Sequence, residues 1–198
     1  MMYSILTSAI VGASVVLANV IPAGSINRSA KAVELVDMIY EGPITPGGET
    51  YTLSGDAKGI YEQILQLNPS YNITDFNIPA PQEAKRAVTA IHCDVTANYA
   101  PNNRIRDGIN YLNSLGAGYC RLGPAVVTRI SCSWSAAIYW GNNNNHDIAI
   151  ACNYLGYGLS QRAYDQCHHD DVISGQAFDQ GNYYTLLSGD NQFGEGHC

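Results

Sequence analysis

The densest run of side chains able to do chemistry is His168-His169-Asp170-Asp171, four potential metal ligands in succession. Adjacent residues cannot all turn toward one ion, and zinc sites collect ligands from separated positions, so the run reads as a solvated loop after a helix whose carbonyl end favours His168. A nuclease would need two of His92, His146, His168 and His197 as acid and base, and nothing in their spacing pairs them. There is no GxSxG elbow, no HExxH and no phosphate-cradling glycine loop, and a fully paired set of six cysteines leaves no thiol nucleophile. The sequence therefore offers no catalytic residue, no metal site and no cofactor motif. Trp134 and Trp140, with surface tyrosines, have ring faces suited to stacking on sugars, although aromatic residues in alternating strands more often pack in a core or at a sheet edge.

The cysteines carry the strongest structural signal. Cys93, Cys120, Cys132, Cys152, Cys167 and Cys198 form an even set without any CxxC pair, which suits disulfides in an oxidising compartment better than a zinc site. Many pairings are open from spacing alone. Residues 1–18 contain an uncharged apolar run from Ile5 to Leu17 and end in small residues, the pattern of a cleaved secretory signal peptide and too short for a comfortable transmembrane anchor. Secretion is thus expected, with N-glycan acceptors at Asn27 and Asn72. A formal charge of -7 with only 14% charged residues excludes a nucleic-acid binder, which needs clustered Lys and Arg.

The elements that must position these residues fall in two parts. Residues 19–86 lack cysteine and histidine and hold one clear helix, GDAKGIYEQILQLNP, capped by Asp56, with Ile60, Ile64 and Leu67 on one face and Pro69 as its stop. Before this helix, GGETYTLSGD reads as a short strand entering a turn. The Lys85-Arg86 pair in a proline-rich linker resembles a kexin-type processing site, with residues 19–86 as a pro-segment or small N-terminal unit and residues 87–198 as a disulfide-rich domain holding every cysteine and histidine.

Within residues 87–198, AVTAIHC reads as a strand and RIRDGINYLNSLGAG as a helix capped by Asn103 and ended by Gly116. AVVTRISC alternates as a strand with Val126, Ile130 and Cys132 on one face and Val127, Arg129 and Ser131 on the other. SAAIYW is a second strand and GNNNN a turn. From Asp147, the spacing of Ile148, Cys152, Leu155, Leu159, Ala163 and Cys167 predicts one long helix, bent or divided at Gly156 and Gly158. VISGQAF and NYYTLL supply two more strands.

RIRD at Arg104 to Asp107, a cysteine before AAIYW, an asparagine-rich turn, AC-x-x-L from Ala151 to Leu155, Cys167, SGQ at Ser174 to Gln176, a tyrosine-bearing last strand and Cys198 follow one another in an order that resembles the α/β-sandwich killer toxins of a smut-fungus virus and related secreted fungal effector-like proteins. The resemblance covers about Cys93 to Cys198. It implies an α+β fold, an antiparallel sheet with two helices packed on one face, stapled by Cys93–Cys167, Cys120–Cys152 and Cys132–Cys198. It also implies a protein that binds a target on another cell, a membrane channel or a cell-wall component, through a basic residue before the third cysteine, here Arg129. The toxin is basic and richer in cysteine, whereas residues 87–198 are acidic and lysine-free. A carbohydrate- or cell-wall-binding module is the first alternative, and a small secreted hydrolase or nuclease the second.

Overall fold

The computed structural model describes residues 35–78 and 88–198. The segment read as a signal peptide, Asn27, Lys85 and Arg86 lie outside the described residues. In chain order, the hairpin of β1 (Met38–Pro43) and β2 (Thr50–Gly55) leads into α1 (Ala57–Leu67). Asp56 caps α1 as its sequence demands, its carboxylate accepting the Gly59 amide at 2.8 Å, and Ile60 and Ile64 are buried. After a 3-10 turn at Ile73–Phe76 come β3 (Val88–Cys93), β4 (Ala100–Pro101), α2 (Asn102–Ser114), β5 (Tyr119–Leu122), β6 (Val127–Ser133) and β7 (Ala136–Asn142). Then follow β8 (Ile148–Ala151), a π-helical segment at Tyr154–Ser160 that runs into α3 (Gln161–Cys167), β9 (His168–His169), β10 (Val172–Ile173), β11 (Gly175–Asp179) and β12 (Tyr183–Gly189).

The protein is thus an α+β fold stapled by disulfides, with antiparallel pairing throughout. Its strands divide into a five-stranded sheet, β3-β11-β12-β7-β6, a four-stranded sheet, β2-β1-β5-β8, and a small ribbon, β4-β10-β9. Strand β7 is buried along its whole length, so both its faces need cover. Ala136, Ile138 and Trp140 point into the main core, while Ala137 and Tyr139 join a second cluster with Leu186, packed by Leu35 and Phe193. Each large side chain so buried contributes about 1.5–3 kcal/mol.

Residues 35–78 share the main core rather than forming one of their own. Met38, Tyr40, Ile60 and Ile64 are fully buried in the same cluster as Leu112, Ile130, Trp140 and Leu187, and β1 pairs with β5. All three disulfides lie elsewhere: Cys93–Cys167 ties β3 to α3, Cys120–Cys152 ties β5 to the residue after β8, and Cys132–Cys198 ties β6 to the segment 190–198. These are the pairs that the resemblance implies. Closing loops across 74, 32 and 66 residues, each contributes on the order of 3–4 kcal/mol by restricting the unfolded chain.

Three local expectations are corrected. The long helix from Asp147 does not begin there: residues 148–151 are β8, because Ile148 and Ile150 alternate with alanines and pair with Leu122 and Cys120 at the open edge of β5. Gly156 and Gly158 then sit in the wide π turns, where a Cβ on Gly156 would meet Asn113 Oδ1 at 2.2 Å. Asn103 is not the cap of α2; Pro101 is, and Asn102 ties the helix start to the Asp170 carbonyl at 2.8 Å. Strand β6 does not alternate cleanly, since a bulge between Arg129 and Ser131 turns both Ile130 and Ser131 inward.

Gly108 shows why α2 lies where it does. A Cβ there would come within 2.3 Å of Ser131 Oγ and 3.0 Å of Ile138, so the missing side chain seats the helix on β6 and β7. Helix propensity favours Gly108→Ala by up to about 1 kcal/mol. Packing reverses the sign, and the variant is expected to lose about 1–3 kcal/mol in urea unfolding; a raised midpoint would contradict this seating.

Candidate functional site

Strands β6 and β7 are joined by two residues only, Trp134 and Ser135, since Ser133 pairs with Ala136. Both linking residues have left-handed backbone, φ 47° and 63°. A two-residue turn of this hand matches the sheet twist and favours Asn-Gly. Tryptophan there is an outlier that costs on the order of 1–3 kcal/mol. The ring receives no burial in exchange: Trp134 is 73% exposed, the most open of the large apolar side chains among the described residues. Trp140, the other tryptophan named for stacking, is fully buried and belongs to the core.

The tip of this hairpin overhangs a groove of about 400 Å³ between α1, α2 and β6. Arg104, Asp107 and Tyr111 recur at three and four residues along α2 and so share one face, with Gly108 between them. Lys58 and Tyr61, three apart, do the same on α1. The Arg104 guanidinium lies 5.6 Å from the centre of the Trp134 ring. Tyr61 and Tyr111 meet with ring centres 5.9 Å apart. Charges are paired locally, Arg104 with Asp107 at 3.5 Å and Lys58 with Glu62 at 3.7 Å. The arrangement is an aromatic-lined cleft under an open indole, with each lining cation beside a carboxylate.

Arg129, the expected target-binding residue, faces the segment 190–198. It donates to the Gly196 carbonyl at 2.8 Å and lies 3.6 Å from Glu195, with 23% of its side chain exposed. Around it, Tyr139 donates to Glu195, the Gln192 amide donates to Tyr139 at 3.1 Å, and the Phe193 amide donates to Glu195 at 2.8 Å. Burial, then the Glu195 bond, push the Tyr139 phenol well above its ordinary value against the Gln192 amide and Arg129. Asp190 completes the clasp, accepting from the Cys198 amide at 2.6 Å and bonding His197 at 3.0 Å.

The remaining histidines have partners of their own, and only His168 and His169 share an element. His92 packs against Phe178, His168 stacks on Tyr164 with centroids 4.9 Å apart, His169 lies 3.9 Å from Asp94, and His146 neighbours Asn145. His168 and His169 form β9 and are exposed, in place of the expected loop. Among the described residues, no group of three or more His, Cys, Asp or Glu is placed to hold a metal ion, and no helix is long and apolar enough to cross a membrane. Asn72 is exposed, and its Oδ1 accepts the Thr74 amide at 3.1 Å, which leaves Nδ2 for a glycan.

Of the groove, sequence reasoning names only Trp134 for stacking. The missed signals are the Arg104, Asp107, Tyr111 stripe and a Trp-Ser pair where a tight hairpin calls for Asn-Gly.

The clasp makes an acid prediction. Burial alone would raise the Asp190 pKa, but the Cys198 amide, His197 and Arg129 outweigh it and hold the carboxyl below its ordinary value. A depressed folded pKa stabilises fully above the unfolded value near about 4 and is lost as pH falls through the folded one. Protection of the Cys198 amide from hydrogen exchange should therefore hold down to about pH 4 and fall below it. Asp190→Asn should remove that dependence; an unchanged acid slope would exclude Asp190 as its source. In comparison with known proteins, the chain matches no family model, no curated protein and no solved structure.

Proposed function

We propose that this chain is a secreted, effector-like or antagonistic protein of the killer-toxin-like kind, working by binding a target on another cell. The observation that carries the reading is Trp134, a large apolar ring held in water by strained backbone and braced by Arg104. Strain kept at an exposed side chain serves an external contact better than it serves the fold. The ordered motifs and the Cys93–Cys167, Cys120–Cys152 and Cys132–Cys198 pairs, as the resemblance implies them, support the class. Contact is assigned to the Trp134 groove, and Arg129 contributes by fixing the segment 190–198. The target is a membrane channel or a cell-wall component.

The hairpin separates folding from binding. Trp134→Asn with Ser135→Gly supplies the residues the turn prefers and should raise unfolding stability by about 1 kcal/mol. The same variant should lose binding to yeast and fungal cells, scored with labelled protein and as growth inhibition, with and without calcium. Cell binding equal to that of the unaltered protein would overturn the reading.

Processing after Arg86 belongs to the same proposal. Because β1 pairs with β5 and α1 lies in the common core, residues 35–78 stay docked after such a cut, although no disulfide holds them. N-terminal sequencing of protein recovered from culture medium should then give two starts, one at Ala87, and the two pieces should part only in denaturant. A single start near Asn19 would exclude the cut.

A further inference from the structure

We infer that the Trp134 groove is a carbohydrate site, and that its ligand is a neutral, β-linked oligosaccharide of glucopyranose type; this rests on the assignment of binding to that groove. An all-equatorial pyranose presents a face of axial C–H bonds, apolar and flat, beside a rim of hydroxyls. Such a ring needs an open aromatic plane and, next to it, groups that both donate and accept hydrogen bonds. Trp134 supplies the plane: it is 73% exposed, and Arg104, 5.6 Å from its centre, can cover only one of its two faces. The groove below supplies the rest. Asp107 accepts, Lys58 and Arg104 donate, and the Tyr61 and Tyr111 phenols do either.

Charge selects among ligands. Of the charged side chains that line the groove, Arg104 stands 3.5 Å from Asp107, and Lys58 stands 3.7 Å from Glu62 just outside the lining, so each cation already has a carboxylate beside it and neither is left to a phosphate or sulfate alone. The whole chain, at -7, repels anions further. A neutral polyol meets these paired groups without having to break them. The volume, about 400 Å³, lies in the lower part of the range of small-molecule sites, which suits a short stretch of a chain crossing the rim at Trp134. The site is also rigid, as a sugar site must be to limit the entropy lost on binding: the Cys132–Cys198 bridge holds the strand that enters the turn, and the Asp190 amide donates to the Ser135 carbonyl at 3.2 Å.

The test uses the whole purified protein with laminarihexaose and chitohexaose as neutral β-linked probes, maltohexaose as an α-linked control and a heparin hexasaccharide as an anionic one. Trp140 is fully buried and Trp134 open, so a blue shift of tryptophan emission reports the exposed ring, and calorimetry gives the affinity. At least one neutral β-linked probe should shift the emission and bind more than tenfold tighter than either control. The Trp134→Asn, Ser135→Gly variant should weaken it more than tenfold at an unchanged near-ultraviolet dichroism of its buried aromatics, whereas Trp134→Tyr should retain part of the affinity. Tightest binding of the heparin probe, or equal binding by protein and variant, would overturn the assignment. If neither neutral hexasaccharide binds while the variant still loses cell binding, the ligand is not a glycan and the groove remains the contact site. If neither binds and the variant attaches to cells unchanged, both readings fall.

Discussion

Strand β7 has no face in water, and much of the molecule follows from that one constraint. Ala136, Ile138 and Trp140 are covered by the helical layer, with α2 brought close by Gly108. Ala137 and Tyr139, on the other face, are covered by Phe193 and by Leu35, the former carried on the segment 190–198. That segment has no regular structure to hold it in place, so covalent and charged contacts do the holding. Cys132–Cys198, the Asp190 carboxylate on the Cys198 amide, and Arg129 on Gly196 together keep the lid on the sheet.

The same clasp braces the hairpin that carries Trp134. Strand β6 is bonded to the segment through Cys132, and Asp190 reaches the turn itself. A stiffly held hairpin can tolerate two left-handed residues that a free one would relax. The groove arises where this hairpin meets α1 and α2, which belong to the parts of the chain before and after the Lys85-Arg86 pair. Lys58 and Tyr61 from the first part face Arg104, Asp107 and Tyr111 from the second.

Local chemistry was readable wherever one residue type decides the outcome. Asp56 caps α1, the alternation of residues 88–93 makes a strand, and the tyrosine-rich run at 183–189 makes another. It failed where two periods fit the same residues. Ile148 lies four residues from Cys152 and two from Ile150, so it satisfies a helix and a strand alike, and the open edge of β5 settled the matter. The bulge beside Ile130 left no mark in the pattern because strict alternation sends Ser131 to the face opposite Ile130, and a small serine fits a buried or an exposed position equally.

The sequence by itself determined the ingredients, an even set of cysteines, short strands and separate helical runs, since these are properties of spacing and composition, while their α+β arrangement was implied by the resemblance. It also offered Trp134 and Trp140 alike as rings able to stack. Whether Trp134 or Trp140 stays in water was decided only by tertiary structure, because burial depends on which element crosses above a strand, and that element can come from any part of the chain. The groove is likewise a tertiary object, its two walls being 46 residues apart at Lys58 and Arg104. No local period records such a meeting, which exists only once the common core has drawn α1 and α2 together.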